Sequence, residues 1–199
     1  NFILATGYKS AYIIKYFKKN KTFNEIKLKL KKKENCKYFI DKKTDSNFRI
    51  IDTGLNTMTG GRIRRLKKYL IKEDNFCLTY GDGVSDVNLK KVIELHLKKN
   101  KIATVTAVRP PSRFGALKVK RGNVDQFQEK TTFFDSWING GFFVFKSKIL
   151  KFIEKDSTYL EKEPLQKIAK LKEMSAYKHF GFWHPMDTLR DKENLEKYL

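Results

Sequence analysis

Short apolar runs and amphipathic stretches take turns along this chain, and that alternation narrows the folds open to it more than any other feature. "FILAT" at 2–6 reads as a buried strand, and Gly7 turns it into "YKSAYIIKYFKKN", where Tyr12, Ile13, Tyr16 and Phe17 recur at helical spacing. "RIIDT" at 49–53, "NFCLTYGD" and "IATVTAV" read as further strands. Between them stand a helix expected from about Gly61 to Tyr69 and a second, "NLKKVIELHLKKN", with Leu89, Val92, Ile93 and Leu97 on one face. Strands alternating with helices at short spacing make βαβ units and a largely parallel sheet. The charged segment 22–49 alternates only in "EIKLKL" and predicts an exposed strand followed by a mobile loop. After "RPPSRFG" the rhythm changes. "ALKVKRGNVDQFQEK" predicts an antiparallel hairpin around "RGN", and "GGFFVFK" another strand. "KSKILKFIEK" and "EPLQKIAKLKE" follow as helices, "MSAYKHF" as a last strand and "LRDKENLEKYL" as a closing helix. No repeat and no linker divides the sequence, so residues 1–199 are expected to form one α/β domain with a mixed sheet.

Bulk properties exclude several classes. At 199 residues the chain can bury one sizeable core. No apolar run is long enough to cross a bilayer, no signal-peptide pattern opens the sequence, and the expected setting is the cytoplasm. Cys36 and Cys77 stand far apart, and His96, His179 and His184 lie in unrelated contexts, so no zinc-ligand spacing exists. The formal charge of +21 invites a nucleic-acid reading, because lysine and arginine release counterions from phosphate backbones. Lysine is scattered over helix faces, however, and no zinc-finger, RRM or KH signature accompanies it. A solvated surface is the preferred reading, and such a field also gathers small anionic substrates. The chain opens on Asn1 and passes at once into what looks like an interior strand, so a fragment is expected.

In open α/β sheets, ligands lie outside the carboxyl ends of the strands. "LTYGDGVSDV" at 78–87 puts Asp82 at such an end between Gly81 and Gly83, which turn the backbone sharply and leave room beside it. Gly-Asp-Gly is also ordinary turn chemistry, and both readings stand at this point. A second carboxylate, Asp187, follows the last strand in "GFWHPMDTLRD". The pair suits Mg²⁺, a hard cation held by one or two carboxylates plus substrate phosphates. Asp187 also suits the cap of the next helix, and the two roles are compatible. "TMTGGRIRR" sets Gly60 and Gly61 at a helix start before Arg62, an arrangement fit for a nucleotide's phosphates or base edges, or for a plain turn. "INGGFFVF" offers the amide of Asn139, with Gly140 and Gly141 permitting close approach, and "QEK" offers Glu129 and Lys130 to sugar hydroxyls and a phosphate.

Taken together, "DTGLNTMTGGRIRR", "YGDGVSDVNL", "RPPSRFGAL", "FQEK", "INGGFFVF" and "GFWHPMDTLRDKENLE" resemble the glucose-1-phosphate cytidylyltransferases of the sugar-nucleotide pyrophosphorylase group, in the same order from about Phe2 onward. The resemblance implies a Rossmann-like nucleotidyltransferase fold with a mixed, mostly parallel central sheet flanked by helices. It implies that CTP and α-D-glucose 1-phosphate give CDP-glucose and pyrophosphate, in nucleotide-sugar biosynthesis that feeds lipopolysaccharide O-antigen. By that likeness Asp82 and Asp187 are catalytic and ligate Mg²⁺; Thr57, Gly60, Gly61, Arg62 and Gly81 serve the nucleotide; and Glu129, Lys130, Asn139 and Gly140 serve the sugar phosphate. A homo-oligomer of the full-length form is expected. Related enzymes using UTP or dTTP, and a basic nucleic-acid-binding protein, are the competing readings. The sequence departs from the group's pattern in three places. It contains neither a GGxGTRL-type loop nor a PKPM-type stretch, Thr131 follows "QEK" where proline is usual, and His184 replaces an amide residue. Activity of this chain alone is therefore not expected.

Overall fold

The structure, a computed structural model, describes residues 1–26, 36–110, 116–128 and 137–198. These form two compact units: Asn1–Lys72 with Leu150–Lys167, and Glu73–Ile149 with Ile168–Leu199.

The first unit contains β1 (Phe2–Thr6), α1 (Ser10–Lys19), β2 (Phe23–Ile26), β3 (Cys36–Asp41), β4 (Asn47–Asp52), α2 (Thr59–Arg65) and the single turn α3 (Lys67–Leu70). Its sheet runs β1-β4-β3-β2, with β1 parallel to β4 and the other two pairings antiparallel. The segment expected as an exposed strand and a mobile loop therefore holds β2, β3 and the first half of β4. The register of β3 and β4 is fixed by burying Phe39 and Ile50, both 1% exposed, because a one-residue slip would turn these side chains outward. Phe17 of α1 completes that core, its ring 4.5 Å from Phe23, 5.1 Å from Phe39 and 5.4 Å from Phe48. Ile13 and Ile14 pack beside it, whereas Tyr12 and Tyr16 are exposed. The core face of α1 is thus the Ile13–Phe17 row, with Ile14 alongside.

The second unit contains β5 (Asn75–Thr79), β6 (Gly83–Ser85), α4 (Leu89–Lys99), β7 (Ala103–Val108), the hairpin β8 (Ala116–Lys120) and β9 (Asn123–Gln128), and β10 (Ile138–Lys146). A 3₁₀ helix (Ser147–Phe152) and α5 (Glu163–Lys170) span the points in sequence where the chain passes from one unit to the other. β11 (Met174–Lys178), β12 (Trp183–Pro185) and α6 (Leu189–Glu196) follow. The sheet runs β11-β7-β10-β5, with only β11 and β7 parallel. A separate ribbon joins β6 to β12. The α/β class and mixed sheets agree with expectation, but the balance does not. Among the described residues each four-stranded sheet has one parallel pairing and two antiparallel ones, so "mostly parallel" is corrected. In the second sheet β10, the next described strand after the β8–β9 hairpin, enters between β7 and β5 antiparallel to both. "KSKILKFIEK" folds as a 3₁₀ helix, shorter and tighter than the α-helix its composition suggests.

In α4 the buried face is Val92 and His96, one i,i+4 step, while Leu89 and Leu97 are exposed. His96 is 1% exposed, with Nδ1 2.9 Å from Thr104 Oγ1 and Nε2 3.0 Å from Asn75 Oδ1. Burial, with Lys146 nearby, lowers its pKa from the ordinary histidine value. The unfolded chain therefore takes up a proton that the folded chain excludes. Stability is fully present above the ordinary value of about 6.5 and falls as pH drops below it. Melting temperature measured from pH 8 to pH 5 is expected to decline more steeply in the wild type than in His96→Gln; parallel profiles would assign the decline to other groups.

Candidate active site

Five of the candidate residues gather in the second unit. The ladder between β6 and β12 pairs Gly83 with Pro185, Val84 with His184 and Ser85 with Trp183. Continuing it, the Met186 amide donates to the Asp82 carbonyl at 2.7 Å. Asp82 and Asp187 therefore flank the open end of one antiparallel ribbon, although more than a hundred residues separate them in sequence. Both side chains are exposed. Asp187 is not the helix cap that the sequence also allowed. Thr188 takes that place: its hydroxyl accepts the Asp191 amide at 3.1 Å, and the Asp191 carboxylate accepts the Thr188 amide at 3.0 Å. This capping box starts α6.

Asn139 and Gly140 lie on β10 where its register against β7 shifts between Asn139 and Phe143. A Cβ at Gly140 would stand 2.8 Å from Val108 Cγ1 and 3.0 Å from the Thr106 carbonyl oxygen, and Gly141 holds φ at +78°. The irregularity thus needs both glycines, one for close approach and one for a left-handed backbone. Asn139 Oδ1 accepts the Gly141 amide at 2.9 Å, the Trp183 indole donates to the Gly140 carbonyl at 2.8 Å, and the Tyr80 amide donates to the Gly141 carbonyl at 3.2 Å. These bonds tie the start of β10 to β12 and to the residue before Gly81. Gly81 itself is exposed, and a Cβ there would meet nothing within 4 Å.

Thr57, Gly60, Gly61 and Arg62 gather at the start of α2 in the first unit. Thr57 is buried and its hydroxyl donates to the Thr53 carbonyl at 2.6 Å. Arg62 Nη1 donates to the Thr6 carbonyl, Thr53 Oγ1 and the Gly54 carbonyl at 2.9, 2.7 and 3.1 Å. Those groups stitch α2 to the ends of β1 and β4. The glycines let α2 lie against residues 156–160: the Gly61 amide donates to the Thr158 carbonyl at 3.2 Å and the Met58 amide to the Asp156 carbonyl at 2.9 Å. Asp156 was missed in the sequence. Its carboxylate receives Arg65 at 2.7 Å and Arg64 at 3.2 Å, and the Arg65 hydrogen bond holds it below the usual carboxylate range. Local spacing could not announce it, since Arg64 and Arg65 lie 92 and 91 residues before it. Glu129 and Lys130 lie outside the described residues.

Among the described residues no group of three His, Cys, Asp or Glu side chains is placed to hold a metal ion. The ribbon end offers two hard carboxylate ligands and leaves other positions to a ligand's oxygens or water, the donor set that suits Mg²⁺ bound with a phosphate. It does not offer the closed cage of a structural zinc site.

Residues 3–184 match the family described as Nucleotidyl transferase. The chain is 42% identical over 197 residues to the glucose-1-phosphate cytidylyltransferase of Salmonella typhimurium, covering 98% of this chain and 76% of that protein. It is 38% identical, with the same coverage, to the probable glucose-1-phosphate cytidylyltransferase of Bacillus subtilis. The crystal structure of HddC from Yersinia pseudotuberculosis shares the fold with a TM-score of 0.67 at 22% identity, covering 99% of this chain and 78% of that one.

Proposed function

The chain belongs to the nucleotidyl transferase family, and from that membership we propose that it is a glucose-1-phosphate cytidylyltransferase, joining CTP to α-D-glucose 1-phosphate to give CDP-glucose and pyrophosphate. The observation that carries this reading is relatedness to the cytidylyltransferases across nearly the whole chain.

The chemistry asks for positioning and charge neutralisation above all. An oxygen of the sugar phosphate attacks the α-phosphorus of CTP in line, and pyrophosphate leaves. The attacking phosphate is already ionised, so no side chain has to remove a proton. Asp82 and Asp187 are the residues to hold Mg²⁺, supported by their place at the same end of the ribbon. When bound, that ion neutralises phosphate charge. Gly81, with open space where a side chain would stand, leaves the nucleotide room beside Asp82. Asn139 and Gly140, on a rigid bend of β10, are assigned to the sugar phosphate together with Glu129 and Lys130. Thr57 and Arg62 Nη1 are engaged inside the first unit, so contact from the 57–62 turn to the cytosine is assigned to backbone groups of the turn. A cytoplasmic location and a homo-oligomeric full-length form belong to the same reading, as does supply of CDP-glucose for O-antigen.

Release of pyrophosphate from CTP, UTP and dTTP with glucose 1-phosphate tests it, read for the wild type and for every variant below in a chain extended to the length of the cytidylyltransferase relatives, of which this one covers 76%. The expected result is turnover with CTP exceeding that with UTP by tenfold or more, about 1.4 kcal/mol of discrimination from one mismatched polar edge. Equal rates would show that the base is not selected. Salt-sensitive polynucleotide binding without CTP binding would instead favour the nucleic-acid reading.

A further inference from the structure

We propose that His179 is a positioning residue for the Asp82–Asp187 ribbon, pinning the end of the ribbon opposite the carboxylates; the inference rests on the reading above that those two aspartates hold the cation. His179 follows β11 directly and adds one more rung to the sheet, its amide donating to the Ala107 carbonyl at 2.9 Å. Its side chain is only 9% exposed. Nε2 lies 2.9 Å from Asp86 Oδ1, 3.1 Å from the Phe182 carbonyl and 3.2 Å from Ser85 Oγ. Two of these partners are acceptors only, which fixes Nε2 as the protonated nitrogen. Ser85 Oγ donates to the same Phe182 carbonyl at 2.8 Å, and the Asp86 amide reaches it at 3.2 Å.

One imidazole N–H thus joins the end of β6 to the loop that leads into β12. The arrangement is not a nucleophile triad, since Ser85 and Asp86 meet the same nitrogen and Asp86 cannot orient the ring to activate Ser85. Its consequence is mechanical. A ribbon of two three-residue strands is marginal alone. Its alignment depends on attachments at the ends, and Asp82 stands three residues before Ser85. Holding Ser85 and Phe182 together keeps Asp82 across from Met186 and next to Asp187.

The test compares His179→Leu, Asp86→Ala and His179→Gln with the wild type. Two quantities are read: the Mg²⁺ concentration giving half-maximal pyrophosphate release, and amide hydrogen exchange of residues 82–87 and 182–187. His179→Leu and Asp86→Ala each remove a side of that contact and are expected to raise half-saturating Mg²⁺ by roughly tenfold, the low end of the 10–100-fold lost when groups that orient metal ligands are removed. KM for CTP at saturating Mg²⁺ is expected to stay within about twofold, because neither His179 nor Asp86 is assigned a bond to the nucleotide. His179→Gln restores an N–H near the Nε2 position and is expected to return half-saturation to within about threefold of wild type. Exchange should quicken in the ribbon and not in β7 or β10. Asp86 is exposed, so its variant tests the idea even where His179→Leu folds poorly. Wild-type Mg²⁺ dependence in both broken variants, or a loss in His179→Leu that Gln does not repair while Asp86→Ala behaves as wild type, overturns the proposal. Asp82→Asn separates the levels: if it turns over normally the metal reading itself fails, and if it is inactive while the His179 and Asp86 variants are unaffected, only the positioning role fails.

Discussion

Asp82→Asn and Asp187→Asn are each expected to lower CDP-glucose formation by about a thousandfold or more, the loss of roughly 4 kcal/mol of transition-state stabilisation at 1.36 kcal/mol per factor of ten. The substitution keeps shape and removes one negative charge from the oxygen pair proposed to hold a hard cation. Both aspartates are exposed, so the melting temperature should barely move; surface changes of this kind stay within about 0.5 kcal/mol. Excess Mg²⁺ is expected to recover part of the rate in either single variant and none in the double, because one carboxylate still offers a ligand. Pyrophosphate release across a Mg²⁺ titration provides the measurement. Undiminished turnover in Asp82→Asn would remove the carboxylate pair from the mechanism.

The second large effect concerns the paired glycines. Gly61→Ala is expected to destabilise the protein by about 3 kcal/mol or more, beyond the ordinary range for an added methyl in a packed site, because the new carbon would meet backbone. At Gly61 a Cβ would stand 2.1 Å from the Asp156 carbonyl oxygen and 2.7 Å from the Asp156 Cα, so α2 must part from the 156–160 segment or the helix must bend. For a chain of this size that corresponds to roughly 6–12 °C in melting temperature. Gly81→Ala is the contrast. Nothing lies within 4 Å of its Cβ position, so stability should hold, and any loss of CTP turnover would report the nucleotide's own need for space. Thermal unfolding followed by circular dichroism decides both. A Gly61→Ala protein melting with the wild type would mean that the pair serves the nucleotide and not the packing.

That contrast shows what kind of information each motif carried. Gly60–Gly61 and Gly140–Gly141 look alike on paper, two glycines beside a polar residue. In the structure the first pair packs a helix against a distant segment, and the second pair accommodates an irregular bend in β10. Arg62 looked like a free guanidinium for phosphates, yet its Nη1 binds three acceptors at the ends of β1 and β4. Side-chain type and local spacing state what a residue can bond, not which partner reaches it first.

The sequence by itself determined the α/β class, the places of most strands and helices, the hairpin at "RGN" and the family, because apolar periodicity and contiguous motifs are local properties of a chain. Only the tertiary structure decided sheet order and strand direction, since these depend on pairings between residues far apart, such as β10 entering between β7 and β5. It also decided that Asp82 and Asp187 come to the same end of one ribbon. "GVS" and "WHP" are too short to announce themselves as strands, and neither buries a face that periodicity could reveal. Their ladder forms because the chain on either side is already held, by the sheet at β5 and β11 and by the hydrogen bonds of His179. The adjacency of Asp82 and Asp187 is therefore a property of the fold around them, which no local stretch of the sequence contains.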